Sequence, residues 1–293
     1  MLLLLIASII WAFSFGLIGK TLDGVPGSFL ACVRLALATC IFLPVLRRVP
    51  QRQMWALLII GAVQFGLMYI CYNQSFVYLQ PHEVALFTVF TPVYVTLLDD
   101  ARCRRVSWNA LLAALLAMVG AAMVLWQHGI LQAPWRGFLL VQGSNFCFAV
   151  GQLAYCAWAR GKDRPDDRAV MGWLYLGGVV VSLPWAVIAV LHGTVVLSRV
   201  QMAAVVYLGV IASGVGFFLW NAGARRTSAG VLAVCNNLKI PFAAVISLLV
   251  FGGKANPVFL LVGGLLFVVA TGICQRKTKF SMRQQKPKGD KNL

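Results

Sequence analysis

The chain has 293 residues, of which 60% are apolar and only 11% are charged. Because soluble domains carry roughly 25% charged residues, this composition excludes a soluble, disordered or collagen-like protein. It predicts an all-α polytopic membrane protein whose apolar surface faces lipid. The net charge of +17 would suggest a nucleic-acid partner in a soluble protein. Here we attribute it to basic cytoplasmic loops and expect membrane lipids, but no nucleic acid, as partners.

A membrane-spanning helix needs about 20 mostly apolar residues. Ten segments of the chain meet or approach this length, and we predict that all ten span the membrane: 2–19, 26–46, 54–76, 83–98, 107–126, 137–159, 169–191, 201–221, 228–251 and 257–275. The fourth segment is the shortest, so the alternative is nine spans with 54–98 divided differently. The first segment lacks the basic start and small-residue cleavage site of a signal peptide, so we expect it to be retained.

Lysine and arginine are distributed unequally between the two sides of the predicted membrane. With both termini on one side, the loops on that side and the tail hold 19 of the 25 basic residues, whereas the opposite loops hold four. Because basic loops remain cytoplasmic, this distribution predicts cytoplasmic termini and an even number of helices. The basic tail, residues 276–293, is expected to be disordered and held near anionic lipid.

The two halves of the chain share a short motif. Tyr72-Asn73 precedes Pro92 with 19 residues from Asn to Pro, and Trp220-Asn221 precedes Pro241 with a spacing of 20. Five predicted spans in each half require the second half to be inserted upside down. We therefore predict two inverted five-helix repeats, 1–130 and 131–275. Such repeats are typical of transporters that hold substrate between them near the bilayer midplane.

Two basic residues, Arg34 and Lys239, lie well inside predicted spans. From the helix rise, both lie roughly 12–13 Å from the outer face, although their helices enter from opposite sides. All eight acidic residues lie at span edges or in loops. The anion that is missing is therefore expected to be the substrate, a small molecule bearing a carboxylate. The alternative is that Arg34 extends to the surface or bonds backbone carbonyls, and that Lys239 is deprotonated without substrate.

Neutral polar and aromatic side chains lie at comparable depth in the sequence. Near Pro92 and Pro241, which each free a backbone carbonyl, they are candidates to line a substrate cavity. These candidates are Trp11, Gln64, Tyr69, Tyr72, Asn145, Trp220, Asn236 and Asn237. For any one of them, a hydrogen bond or packing contact between helices is the alternative role.

No catalytic, metal-binding or nucleotide-binding motif occurs in the sequence. The eight cysteines form no CxxC pair and are interpreted as small core residues. Metalloprotease, hydrolase, P-loop and dinucleotide-binding signatures are absent as well. We expect neither an enzyme nor a resident cofactor. The lack of a midplane acid or histidine weakly favours uniport or exchange, or coupling through Lys239.

Several segments resemble the EamA-type drug/metabolite transporter family. They are IWAFSF at 10–15, VRL at 33–35, FTP at 90–92 and FLWN at 218–221, the last followed by Gly223-Ala224. The resemblance covers the chain except for the tail. It implies ten helices in two inverted five-helix repeats, the arrangement that the span count also predicts.

Within this family, four segments resemble the branch of bacterial biotin transporters: 35–47, 86–97, 139–151 and 207–224, with Asn236-Asn237 following. The resemblance implies uptake of biotin across the inner membrane by alternating access. Biotin would place its carboxylate at Arg34 or Lys239, its ureido ring at Asn145 or Asn236, and its bicycle against aromatic walls. The alternatives are an exporter of amino acids or drug-like metabolites, or a non-transporting membrane sensor. A monomer or homodimer is expected.

Overall fold

A computed structural model of the protein describes residues 1–22, 24–79, 81–104, 106–125, 134–161, 164–193, 195–250, 262, 265–266 and 269–270. These residues form helices joined by short connections. Six of the helical stretches are long and apolar enough to cross a membrane, and three shorter apolar helices accompany them. The chain is therefore an all-helical membrane protein. The predicted repeat boundary at 130 and the basic tail lie outside the described residues.

Nine of the ten predicted spans correspond to helical stretches in the described part of the chain, and the tenth, 257–275, lies mostly outside it. In chain order, they are α1 (Leu2–Thr21), α2 (Gly27–Phe42), α3 (Gln51–Ser75), α4 (81–103), α5 (Trp108–Leu125), α6 (Trp135–Ala159), α7 (Asp167–Leu191), α8 (Arg199–Ala224) and α9 (229–250). The region 54–98 contains two separate helices, α3 and α4, as the ten-span interpretation predicts. Helix α4 extends five residues beyond the predicted end of its span.

Four of these helices depart from regular α-helical geometry at matching places in the two halves. Helix α3 contains a π-helical segment at Ala62–Leu67, and α8 contains one at Leu208–Val215. Helix α4 tightens to a 3-10 turn at Thr88–Phe90, and α9 is interrupted at Leu238. In α4 and α9 the irregular part is followed by a proline, Pro92 or Pro241. Because proline has no N–H, the backbone carbonyl one turn earlier lacks its regular helical donor.

The helices of the two halves pack against one another rather than forming separate bodies. Helix α2 contacts α7 and the π-helical segment of α8, α3 contacts α6 and α7, and α4 contacts α9. Helix α1 packs against α8 and α9. The principal hydrophobic core is built from residues of both halves. A cavity remains where the irregular parts of α3, α4, α8 and α9 approach α1, α2 and α6.

Candidate substrate-binding site

The cavity offers about 100 Å³ in which the centre of a water molecule can move. One ordered water needs only about 10–15 Å³ on this measure, so the space accommodates a small organic molecule. Seven of the ten predicted site residues line it: Trp11, Arg34, Tyr69, Tyr72, Asn145, Asn236 and Lys239. Arg34 and Lys239, whose helices are predicted to enter the membrane from opposite sides, thus line the same cavity.

The Arg34 guanidinium is held from two sides and keeps one nitrogen without a partner. The side chain is only 4% exposed, so it does not extend to the surface. Its Nε donates to the Ser213 hydroxyl at 3.1 Å, and its Nη2 donates to the Tyr69 hydroxyl at 2.5 Å. The Tyr69 ring also lies under the guanidinium, with Cζ 4.4 Å from the ring centroid. Nη1 is buried and has no hydrogen-bond partner among the described residues.

Lys239 contributes the second positive charge and lies beside an aromatic wall. Its Nζ lies 6.0 Å from the centre of the Trp11 ring, at the outer limit of a cation–π contact. Trp11 packs against Phe217 and Trp220, with ring centroids 4.9 and 5.0 Å away. The indole Nε1 of Trp11 donates to the Ala212 carbonyl at 2.9 Å, which fixes the plane of this wall.

The polar character of the cavity suits an anion. No carboxylate belongs to its described lining. Within the described part of the chain, the Asn236 amide nitrogen, like Arg34 Nη1, is buried without a partner, and the Asn236 side chain is only 2% exposed. A buried donor without a partner costs about 1–3 kcal/mol, which a carboxylate or carbonyl oxygen of a bound molecule would recover. The described residues contain no group of three His, Cys, Asp or Glu side chains suited to a metal ion.

Asn145 lines the cavity, but its hydrogen-bonding groups are engaged in bracing helix α4. Its Nδ2 donates to the Phe87 carbonyl at 2.9 Å and to Gln142 Oε1 at 3.3 Å. Its Oδ1 and the Thr88 carbonyl lie 2.9 and 2.7 Å from the Thr91 hydroxyl oxygen and share its single proton. The Thr88 carbonyl is the group that Pro92 cannot bond. Asn145 therefore satisfies the break in α4 and has little capacity left for substrate.

Replacing Asn145 with leucine should lower the free energy of unfolding by about 1–3 kcal/mol, because the Phe87 carbonyl loses its closest side-chain donor in a buried site. Thermal unfolding of the purified protein in detergent measures this change. Ser144→Ala, which removes a hydroxyl from the same wall of the cavity, is the matched control and should unfold near the wild-type temperature. An Asn145→Leu variant that is as stable as wild type but binds no ligand would instead make Asn145 a substrate contact.

The other three predicted site residues do not line the cavity. Gln64 is buried and donates to Asn221 Oδ1 at 2.9 Å and to Gln152 Oε1 at 3.3 Å, joining α3, α8 and α6. Trp220 is fully buried behind Trp11. Asn237 donates to the Val89 carbonyl at 3.0 Å and so links the interruption of α9 to that of α4. These side chains connect helices, the alternative role that the sequence left open for each.

The sequence prediction missed eight residues that line the cavity: Ser14, Ile18, Met68, Thr88, Thr91, Ser144, Phe148 and Phe217. Helical spacing could have found two of them, because Trp11, Ser14 and Ile18 follow one another at intervals of three and four along α1. Ser213 was missed as well, although it bonds both Arg34 and Tyr69. Its position among small residues in a π-helical segment gives no signal of a polar role.

Comparison with known proteins places the chain in a transporter family. The model of the EamA-like transporter family matches residues 1–126 and 135–274. A "Probable biotin transporter" of Pseudomonas aeruginosa is 38% identical over 271 residues, which cover 91% of this chain and 94% of the relative. The "Biotin transporter" of Escherichia coli strain K12 is 35% identical over 283 residues, which cover 94% of this chain and 93% of the relative.

The fold also has a counterpart among solved structures. A crystal structure of a protein with 19% sequence identity aligns with a TM-score of 0.76 over 93% of this chain and 96% of the other. At this identity the likeness concerns the fold alone. The family model matches almost the whole chain in two successive segments, and the sequence relatives extend over nearly the same length. The chain therefore belongs to the EamA-like transporter family.

Proposed function

We propose that this protein takes up biotin across the bacterial inner membrane by alternating access. One observation carries the proposal. Arg34 and Lys239 line one cavity whose described lining contains no carboxylate, in a chain 35–38% identical to proteins named as biotin transporters. A singly charged carboxylate would neutralise one of the two positive charges of this site. No proton relay is needed for binding, since the two cations already complement the anion.

The cavity offers a separate partner for each part of biotin. The carboxylate accepts a hydrogen bond from Arg34 Nη1 and lies in the field of Lys239. The ureido carbonyl accepts from the Asn236 amide nitrogen, the second buried donor without a partner. The apolar bicycle packs against Trp11 and Phe217, whose rings are in contact with each other. Aromatic side chains offer a large apolar contact area to such a ring.

Alternating access needs two structural units that rock against each other, and we propose ten helices in two inverted five-helix repeats, 1–130 and 131–275. Three observations support this arrangement. The family model matches the chain twice, once in each half. Helices α3 and α8 each contain a π-helical segment, and α4 and α9 are each interrupted shortly before a proline. The excess of basic residues in alternate loops favours cytoplasmic termini.

Ligand binding tests the proposed substrate directly. We expect biotin and desthiobiotin, which both carry the carboxylate and the ureido group, to raise the unfolding temperature of the purified protein. Biotin methyl ester should stabilise it far less, because the ester has no negative charge to pair with Arg34 and Lys239. Stabilisation by a ligand grows with the logarithm of its concentration relative to Kd, so the three compounds are compared across a concentration series. Equal stabilisation by acid and ester would contradict the anion site.

Transport is tested separately from binding. Radiolabelled biotin should accumulate in a biotin-requiring bacterial host that expresses the protein, and excess unlabelled biotin should compete. No accumulation above an empty-vector control would contradict uptake. Resistance to toxic amino-acid analogues in the same host, without biotin accumulation, would favour the export function that this fold could also serve.

A further inference from the structure

Ser213 lies at the point where the second half of the chain meets the Arg34 guanidinium. It is fully buried within the π-helical segment Leu208–Val215 of α8. Arg34 belongs to α2, in the first half of the chain. The contact from Arg34 Nε to the Ser213 hydroxyl is 3.1 Å, and Tyr69 Oη lies 3.0 Å from the same hydroxyl oxygen. One serine thus contacts two residues that line the candidate site.

The hydrogen-bond donors of this cluster can be assigned by counting. The Ser213 hydroxyl has one proton, and the carbonyl of Leu208 lies 2.8 Å from its oxygen as a pure acceptor. The proton is therefore committed to Leu208, and both lone pairs of the hydroxyl accept. They receive the proton of Arg34 Nε and that of Tyr69, whose own oxygen accepts from Arg34 Nη2. Among the described residues, every donor of the cluster has an acceptor except Nη1.

The backbone that carries Ser213 is itself fixed by neighbouring side chains. The Tyr175 hydroxyl lies 2.9 Å from the Ser213 carbonyl and 2.8 Å from that of Gly214. The Trp11 indole donates to the preceding carbonyl, that of Ala212. A π-helical segment is uncommon and often marks a functional position. Here three consecutive carbonyls lie within hydrogen-bond distance of side-chain donors from α1 and α7, two of them sharing the single Tyr175 proton, so the position of the Ser213 hydroxyl is constrained.

We infer that Ser213 is a positioning residue for substrate recognition: it fixes the Arg34 guanidinium so that Nη1 faces the cavity and receives the substrate carboxylate. This inference rests on the proposed function, since it assigns a task to the same site. Without the Ser213 hydroxyl, Nε and the Tyr69 proton both lose their acceptor in a buried place. The guanidinium would then turn towards another acceptor, and its free nitrogen would no longer be directed at the substrate.

The ratio of the Kd of biotin methyl ester to the Kd of biotin tests this role, measured by isothermal titration calorimetry of the full chain in detergent. Ser213→Ala should lower this preference for the acid roughly tenfold, because a hydrogen bond to a charged group is weakened. Ser213→Thr, which restores the hydroxyl, should recover most of it. Ser182→Ala is the matched control: Ser182 is equally buried, donates to the Val179 carbonyl of its own helix and hydrogen-bonds the Cys32 thiol, but it does not belong to the described lining of the cavity.

The outcomes separate this inference from the function on which it rests. A wild-type protein with no preference for the acid would overturn the proposed anion site, whatever Ser213 does. A wild-type preference that Ser213→Ala leaves unchanged would overturn the positioning role alone. Equal losses of acid and ester affinity in Ser213→Ala would also overturn it, since they would show a purely structural effect. A loss of preference in Ser213→Ala that Thr reverses, with Ser182→Ala unaffected, supports it.

Discussion

Replacing Arg34 with alanine should weaken biotin binding by about 100-fold or more and abolish uptake at low external biotin. Truncating one partner of a buried, hydrogen-bonded charge pair costs about 2–5 kcal/mol, which corresponds to a factor of about 30 to several thousand in Kd. The effect should be this large because Arg34 is almost fully buried and no described residue bonds its Nη1. Titration calorimetry with biotin, together with uptake of radiolabelled biotin, measures it.

Arg34→Lys separates charge from geometry at this site. Lysine keeps the positive charge but lacks the planar fork that donates to Ser213, Tyr69 and the ligand at once. We therefore expect binding of intermediate strength, roughly tenfold weaker than wild type, on the basis that one charge-assisted hydrogen bond is lost. A lysine variant as weak as the alanine variant would show that the directed nitrogen, rather than the charge, dominates binding.

Two controls distinguish a loss of binding at Arg34 from a general effect of removing a basic residue and from a loss of folded structure. Arg136→Ala removes a basic residue beside the exposed Trp135, away from the cavity, and should bind biotin as wild type does. Arg34→Ala also removes one hydrogen-bond donor from each of the Tyr69 and Ser213 hydroxyls, so its folded state must be checked by size exclusion and thermal unfolding. A folded Arg34→Ala variant that still prefers biotin to its methyl ester would contradict the proposed role of Arg34.

The deep cations could be predicted from sequence because the membrane makes charge expensive. Arg34 and Lys239 stood out as basic residues inside apolar segments, and the absence of a nearby acid already indicated an external anion. The structure brings both to one cavity. Helix positions were predictable for the same reason: each span must be about 20 apolar residues long. Nine of the predicted segments correspond to helical stretches in the described residues, and six of these stretches are long and apolar enough to cross a membrane.

The roles of the neutral polar residues could not be predicted in the same way. Asn145, Asn236 and Asn237 are identical in type and lie near equivalent interruptions of α4 and α9. Asn145 and Asn237 bond carbonyls of α4, whereas the Asn236 nitrogen has no partner. Which amide faces the cavity depends on the rotation of each helix. The rotation of a helix can also change along its length. In α8 a π-helical segment changes it, and the sequence carries no recognisable signal for that segment.

Helix α3 should fail to pack against α7 when Gly61 is replaced with alanine. A Cβ at Gly61 would lie 1.8 Å from the Leu174 carbonyl oxygen. A Cβ at Gly177 would likewise lie 2.0 Å from the Leu58 carbonyl oxygen. The two glycines lie at the same crossing. Gly61 and Leu58 are three residues apart on α3, Gly177 and Leu174 are three residues apart on α7, and each glycine faces the leucine of the other helix, so the backbones touch directly. Because backbone cannot move aside as a flexible side chain can, the two helices must separate.

We expect Gly61→Ala to cost about 3 kcal/mol or more, at the upper end of the penalties for overpacking. This corresponds to an unfolding temperature roughly 5–10 °C lower, with a reduced yield of monodisperse protein. Gly143→Ala is the matched control, because its Cβ would meet only Cys71 Sγ at 3.7 Å, an ordinary contact. In a helix, that change should be neutral or slightly stabilising.

The Gly61 result also bears on how substrate recognition depends on the fold. Separation of α3 from α7 would displace Tyr69, which is carried by α3, from Ser213, whose carbonyl is bonded by Tyr175 of α7. Any Gly61→Ala protein that is recovered should therefore lose its preference for biotin over the methyl ester as well as stability. If Gly61→Ala and Gly143→Ala had equal unfolding temperatures and wild-type ligand preference, α3 and α7 would not be in backbone contact. The proposed anchoring of Arg34, Tyr69 and Ser213 through α7 would then be contradicted as well.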